Sequence, residues 1–260
     1  MLRLVFLGWS FAAALQLVLW AIQQRTRNAA IVDVGWAASF SVLAIWFATQ
    51  AQTSLATFAP IAAIVVAWSV RLTVYLIARG AATGPEEGRY VELRQRWAPH
   101  TSRSFFVFFQ AQAALAAVLS LAFVVPFLHA PHPGFELLRW IGTGLSALGI
   151  AGETVADLQL ARFRREHAGQ GRVCDVGLWR TSRHPNYFFE WLVWVGHALH
   201  CLAYPAGWIA LLGQALIFAS IWKVTGIPAT EEQALRSRGD AYRAYQKRVS
   251  AFFPLPPKRP

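Results

Sequence analysis

The sequence predicts an all-α integral membrane protein: a bundle of seven transmembrane helices with the N-terminus outside and the C-terminus in the cytoplasm. Three observations predict it. Only 14% of the 260 residues are charged and 56% are hydrophobic, whereas a soluble domain carries about a quarter charged. Seven stretches come close to or exceed the ~18–20 apolar residues that cross a bilayer core. The basic residues alternate with them, so that 21 of the 24 Lys and Arg fall on one side of a seven-span arrangement. Short basic loops resist translocation, which makes that side the cytoplasm.

The first span, 2–22, is longer than the ~7–15 apolar residues of a signal peptide and ends without a small-residue cleavage site, so it is read as a helix. Loop 23–29 carries Arg25 and Arg27 inside. Span 30–50 leads to the uncharged "TQAQTS", and span 54–78 returns to a loop, 79–103, with five Arg. Span 104–128 emerges at histidines with no Lys or Arg. Span 135–158 returns to loop 159–186, with six Arg. Spans 187–203 and 205–222 are joined by "HCLAYPAG", a link so short that they form an antiparallel hairpin. The tail from Lys223 holds eight Lys and Arg. Arg3, Arg71 and Arg139 are the exceptions. One fewer or one more span would scramble this alternation.

The net charge of +11 would suggest nucleic acid in a soluble protein; here it is topology, and no nucleic-acid partner is expected. No repeat, low-complexity linker or second soluble domain interrupts the chain. Residues 1–260 are read as a single membrane domain whose loops 79–103 and 159–186 and tail 223–260 close a site on the cytoplasmic side. Cys174 and Cys201 fall on opposite sides and are not expected to pair. "GTGLSALG" at 142–149 lies inside a span with no strand before it; it is read as helix packing, not as a dinucleotide fingerprint.

Ionisable side chains within spans are costly and face a cavity or a partner. Asp33, Arg71, Glu153, Asp157 and Glu190 all lie in the cytoplasmic halves of their spans, which points to a polar cavity open to the cytoplasm. The alternative is that each is a snorkelling or paired residue at a helix end. Glu153 and Asp157 share a helix face, and Arg164 follows two turns on if the helix continues. In "SRHPNYFFEW", Pro185 suits the first position of a helix, which places Asn186 and Tyr187 in its first turn, where free N–H groups favour an anion. Arg172, Arg180, Arg183 and His184 crowd the same place. A phosphate can sit there, with Asn186 and Glu190 reaching amides or ribose hydroxyls one turn deeper; an ordinary positive-inside flank is the other reading.

"GLWRTSRHPNYFFEWLVWVGHAL" and "GIPATEEQALRSRGDAYRAYQKRVSAFFPLPP", with "IVDVGWA" and "RYVELRQRW", resemble the steroid 5-alpha-reductase superfamily, closest to a bacterial branch of its membrane proteins. The likeness covers nearly the whole chain and is strongest from Asp157 onward. It implies a seven-helix bundle in the inner membrane, NADPH in a cytoplasm-facing cavity, and reduction of a carbon–carbon double bond conjugated to a carbonyl in a lipophilic substrate. It assigns the cofactor to Asp157, Arg164, Arg172, Asn186 and Glu190 and to Arg71 and Tyr75 on the third span; Arg183, His184 and Tyr187 at the helix entry and Tyr245 in the tail are further cofactor-binding candidates. It matches Asp33 to an acid that polarises the substrate carbonyl. At the position of the family's catalytic Tyr stands Trp68, whose indole can donate a hydrogen bond but not a proton at neutral pH.

In the implied chemistry a hydride passes from the nicotinamide to the β-carbon and charge develops on the carbonyl oxygen, where a donor lowers the barrier. A protonated Asp33 behind a low-dielectric wall is one such donor. The Arg surplus favours NADPH over NADH, since a 2′-phosphate adds a dianion. The expected partners are a lipophilic small molecule and membrane lipids, with the chain monomeric.

A second reading is a methyltransferase of the isoprenylcysteine carboxyl type, which shares the "RHP-x-Y" turn. In it Glu231, Glu232, Tyr242 and Tyr245 would hold S-adenosylmethionine. A transporter would show inverted repeats or matching broken helices, and none is visible. His197 and His200 have a zinc-chelating spacing but no carboxylate nearby to orient them. They are read as interfacial, and no metal is expected. Most of the 12 Trp are read as interface anchors; Trp36, Trp68 and Trp191 are alternatives for a substrate tunnel.

Overall fold

The computed structural model describes residues 1–224 and 226–258; Arg259, one of the eight basic residues of the tail, lies outside them. Among the described residues the regular structure is helical, with no strand. The helices are α1 (Leu2–Thr26), α2 (Ile31–Thr49), α3 (Leu55–Ala78), α4 (Gly88–Arg96), α5 (Thr101–Leu119), α6 (Val125–Leu128), α7 (Glu136–Glu166), α8 (Pro185–Cys201), α9 (Ala210–Ala219) and α10 (Ile227–Arg248). A π-helical turn, Ser220–Val224, follows α9, and α10 kinks at Gly239, whose φ of 48° suits a residue without Cβ.

Among the described residues, five helical stretches are long and apolar enough to cross a membrane: Leu2–Thr26, Ile31–Thr49, Leu55–Ala78, Thr101–Ala122 and Gly207–Arg248. Only the first part of the last is apolar, since α10 carries the tail's charges. The expected spans 135–158 and 187–203 exist as α7 and α8 but do not meet that measure. The first carries Arg139, Glu153 and Asp157, and the second has 17 residues.

Two expectations are corrected. Span 104–128 is not continuous: α5 stops at Leu119, a 3-10 turn follows over Ser120–Ala122, and α6 starts anew at Val125. Pro126 sits in the first turn of α6, and lacking an N–H it cannot extend a helix from α5. The stretch 79–103 is not a bare loop, because α4 forms within it and buries Tyr90. The condition set for Arg164 is met, since α7 runs on to Glu166.

The chain divides into two compact units, Met1–Glu136 with Cys201–Ala210, and Leu137–His200 with Leu211–Pro260. In the first, α1 packs on α2 and α5, and α2 packs on α3. Phe40, Phe47, Trp68, Phe123 and Phe127 are fully buried there. Glu86 pins α4 to the start of α2. It accepts from the Ala29 N–H at 2.8 Å and from Arg94 at 2.7 and 3.0 Å, and Asn28 Nδ2 reaches the Gly84 carbonyl at 2.9 Å. Burial alone would push the Glu86 carboxyl up, but these donors and the Arg94 charge hold it below the usual carboxylate range.

In the second unit α7 and α8 meet at van der Waals distance along small residues. A Cβ on Gly149 would lie 2.8 Å from the Phe189 carbonyl oxygen, and one on Gly196 2.5 Å from that of Gly142. Backbones approach this closely only where side chains are absent, so "GTGLSALG" is helix packing, as read. The same seam corrects the interfacial reading of His197 and His200. Both are buried, with Nδ1 3.0 Å from Ser146 Oγ and 3.0 Å from Thr143 Oγ1 respectively. Gly142 lets the His200 backbone approach closely, and a hydroxyl meets Nδ1 of each ring. Cys174 and Cys201 are both free thiols.

Candidate functional site

In the first unit the site centres on Asp33, in the first turn of α2. The Glu86 latch sets α4 so that two of its side chains reach this acid. The Arg89 guanidinium binds Oδ2, and the Tyr90 hydroxyl donates to Oδ1 at 2.8 Å. Both oxygens of Asp33 are thus engaged, one by a cation and one by a phenol. Glu87 bridges Arg79 at 2.7 Å and Arg89 at 3.5 Å. Burial and the Asp33 charge push the Tyr90 phenol well above its ordinary range.

The motif "RYVELRQRW" is visible in the sequence, but nothing local pairs its Arg89 and Tyr90 with Asp33, 56 and 57 residues away. The only signal was a Tyr next to an Arg in a basic loop, which is too common to single out. One turn along α2, Trp36 meets Trp68 edge to face at 6.2 Å, and Phe40 meets both at 5.0 Å. Trp68, at the position expected for a catalytic Tyr, is fully buried in this aromatic group. The Trp36 indole N–H is inaccessible and has no hydrogen-bond partner. On α3 the Arg71 guanidinium lies 5.3 Å from the Tyr75 ring centre, and Arg79 covers the same ring at 5.7 Å.

In the second unit the structure brings together Asp157 of α7 and Asn186 of α8, with Asn186 Nδ2 donating to Asp157 Oδ1 at 3.3 Å. Asp157 and Glu153 are both buried on one face of α7. Glu190, one turn beyond Asn186, accepts from the Trp194 indole at 2.9 Å. Pro185 opens α8 as expected. Its first turn is partly occupied, because Asn186 Oδ1 accepts from the Tyr187 N–H at 3.0 Å. Arg164, Arg172 and Arg180 point their charge to the surface; Arg172 lies 5.9 Å from the Phe163 ring.

Arg183 and His184 take a different place from the one the sequence suggested. Arg183 binds Glu231 at 2.6 Å and also donates to the Gln246 and Val249 carbonyls at 3.1 and 2.7 Å. His184 Nε2 is 3.2 Å from the same Glu231 oxygen, Gln246 Nε2 donates to the other at 2.8 Å, and the Tyr242 hydroxyl lies at 3.4 Å. Glu231 is thus a hub fastening the "SRHP" turn to α10. Burial would raise its carboxyl, but the donors from His184 and Arg183 and the Arg183 charge bring it down to about 2. Burial pushes the His184 imidazole down, against the pull of Glu231.

The docking continues outward from this hub. Tyr187 Oη is 3.0 Å from Thr230 Oγ1 and its ring stacks on His184. The Tyr245 hydroxyl donates to the carbonyls of Trp179 and Ser182. Ser182 Oγ donates to the Phe252 carbonyl at 2.8 Å. Glu232 pairs outward with Arg236.

The family described as "protein of unknown function (DUF1295)" matches residues 19–249. The chain belongs to this family. Apart from Phe252, the residues of both clusters fall within the DUF1295 match. An uncharacterised protein of Schizosaccharomyces pombe, C594.04c, is 25% identical to this DUF1295 chain over 270 residues, which covers 91% of this chain and 76% of that protein. No solved structure matches it.

Proposed function

We propose that this DUF1295 protein is a multi-pass membrane reductase that uses NADPH to reduce a carbon–carbon double bond conjugated to a carbonyl in a lipophilic substrate. The observation that carries the reading is the hydrogen bond from half-buried Asn186 to buried Asp157, with Glu190 one turn further along α8 and Arg164, Arg172 and Arg180 exposed on the same unit. This donor set fits a dinucleotide. Guanidinium groups of Arg164, Arg172 and Arg180 take phosphate oxygens in the geometry that favours Arg. The carboxylates accept from hydroxyl or carboxamide N–H groups, and Asn186 offers both a donor and an acceptor.

The cofactor, when bound, supplies a hydride. The protein's part is to bind and orient it, and to stabilise charge on the carbonyl oxygen. Two features of the first unit suit the second task. The Trp36 indole N–H is a buried donor with no acceptor, and Asp33 carries both a cation and a phenol. With Trp68 at the position of the family's Tyr, the Tyr90 hydroxyl is the protic group next to Asp33.

The S-adenosylmethionine reading is less well supported. Its cage would need Glu231, Tyr242 and Tyr245, and these are committed to the "SRHP" turn. The test is a parallel titration of NADPH, NADH and S-adenosylmethionine into detergent-purified protein. Micromolar NADPH binding, weaker NADH binding and a loss of at least tenfold in Glu190→Ala are expected; a hydrogen bond to a charged group is worth about 1.5–3 kcal/mol. Binding of S-adenosylmethionine alone would replace this function with the methyltransferase.

The same proposal includes all seven spans, the inner membrane of a bacterium, and a cytoplasmic C-terminus. α7 supports it by its inverted pattern. Arg139, Glu153 and Asp157 are buried, whereas Leu137, Trp140, Ile141, Leu148, Val155 and Leu158 are exposed. A helix that hides charge and presents aliphatic side chains suits lipid rather than water. A green fluorescent reporter fused to the C-terminus should fluoresce in the cell, and alkaline phosphatase in its place should be inactive. The opposite pair of results would invert the topology.

A further inference from the structure

A groove of about 550 Å³ lies against the start of α5, within the first unit. It is lined by Trp97, His100, Arg103, Ser104, Val107, Phe108 and Ala111. This is within the ~300–1,000 Å³ range of small-molecule sites. All but Trp97 repeat at three- and four-residue steps and form one stripe along the helix. The stripe is graded. His100, Arg103 and Ser104 are polar and stand at the first turn; Val107, Phe108 and Ala111 are apolar and stand one to two turns along a helix that is long and apolar enough to cross a membrane. Trp97 closes one wall, with its ring 5.9 Å from that of Phe108.

Charge decides what kind of head group fits. No carboxylate lines the groove, and those on and around α4 pair elsewhere: Glu86 with Arg94, Glu87 with Arg79 and Arg89, and Asp33 with Arg89, while Glu92 has an interaction of its own. Arg103 has no acidic partner among the described residues, and its side chain is exposed at the groove. A cation and a hydroxyl at one end, an imidazole beside them, and an aromatic and aliphatic channel at the other match the polarity profile of a phospholipid entering a bilayer.

We infer that this groove seats one phospholipid with an anionic head group, its phosphate on Arg103 and Ser104 and an acyl chain along Val107, Phe108 and Ala111. A zwitterionic lipid would bring its own cation to Arg103 and bind less well. None of these residues belongs to the cofactor or carbonyl sets, so the inference stands apart from the reductase reading.

The test is native mass spectrometry of the full chain, exchanged from detergent into phosphatidylglycerol or phosphatidylcholine. One phosphatidylglycerol should be retained about fivefold better than phosphatidylcholine, the effect of one basic residue near the membrane surface. Arg103→Gln should remove that preference, and Ala111→Trp, which fills the channel at an exposed position, should lower retention of both lipids. Arg96→Gln, an exposed charge that does not line the groove, should change neither. Equal retention of the two lipids by the unaltered protein would overturn the inference. So would a preference that survives both groove variants, or one lost equally in Arg96→Gln, which would mark a diffuse surface charge. Displacement of phosphatidylglycerol by millimolar glycerol 3-phosphate would also overturn it, because a headgroup site alone has no use for the channel.

Discussion

Replacing Glu231 with Ala is expected to cost about 2–4 kcal/mol of stability, because it leaves the Arg183 guanidinium without its carboxylate where little water reaches it. The two side chains are 12% and 16% exposed, which places the pair between the surface and fully buried regimes and justifies the lower part of that range. Tyr242, His184 and Gln246 lose an acceptor in the same step. Thermal unfolding of the detergent-purified protein measures the effect; a Glu231→Ala midpoint equal to the parent's would show that the hub holds nothing.

The same carboxylate predicts a pH dependence. Its folded pKa, about 2, lies below the ordinary 4.5. The unfolded chain therefore binds more protons between these values, and the stabilisation is fully present above about pH 4.5 and lost as pH falls through 2. Glu231→Gln should lose this acid-sensitive component, and a variant that still loses stability as the parent does between pH 4.5 and 2 would show that another group carries it. Limited proteolysis of Glu231→Ala should cut first in 181–184, where the turn has lost its hold on α10.

Removing Asp157 or Asn186 is expected to weaken NADPH binding by about 10- to 100-fold, the range of a charge-assisted hydrogen bond. Asp157→Ala and Asn186→Ala should each show it, and the double variant should lose much less than the sum. The two groups bond each other at 3.3 Å, so removing one already disorders the other, and such neighbours are not additive. Fluorescence titration of NADPH against the four proteins gives the cycle. Strict additivity would mean that the pair does not act on the cofactor as a unit. Undiminished affinity in both single variants would move the site away from α7 and α8.

Much of the helical architecture was legible because it depends on local composition. Apolar runs such as 2–22 and 54–78 became α1 and α3 within a few residues at either end. Pro185 opened α8, and the small residues of 142–149 became a helix seam. Where a single residue breaks a run, a hydropathy pattern smooths over it, and so Pro126 was missed inside span 104–128. The short amphipathic α4 was missed for a similar reason: nine residues give too few turns for a clear period.

The candidate site was legible in part. The spacing of Asp157 with Arg164 and of Asn186 with Glu190 came from helical periodicity, which a sequence carries openly. Which side chain meets which did not. Arg183 and His184 looked like an anion cradle because basic residues ahead of a helix N-terminus usually could be one. Glu231 claims them from 48 and 47 residues away.

By itself, then, the sequence determined the all-helical class and the apolar lengths, since each depends on residues adjacent in the chain or one turn apart. The tertiary structure alone decided that Arg89 and Tyr90 hold Asp33, that Glu231 fastens the "SRHP" turn, and that His197 and His200 are buried against hydroxyls rather than at an interface. Each of these joins groups about 50 residues apart, brought together by helix packing and by buried polar atoms that must find partners. No local pattern encodes that choice.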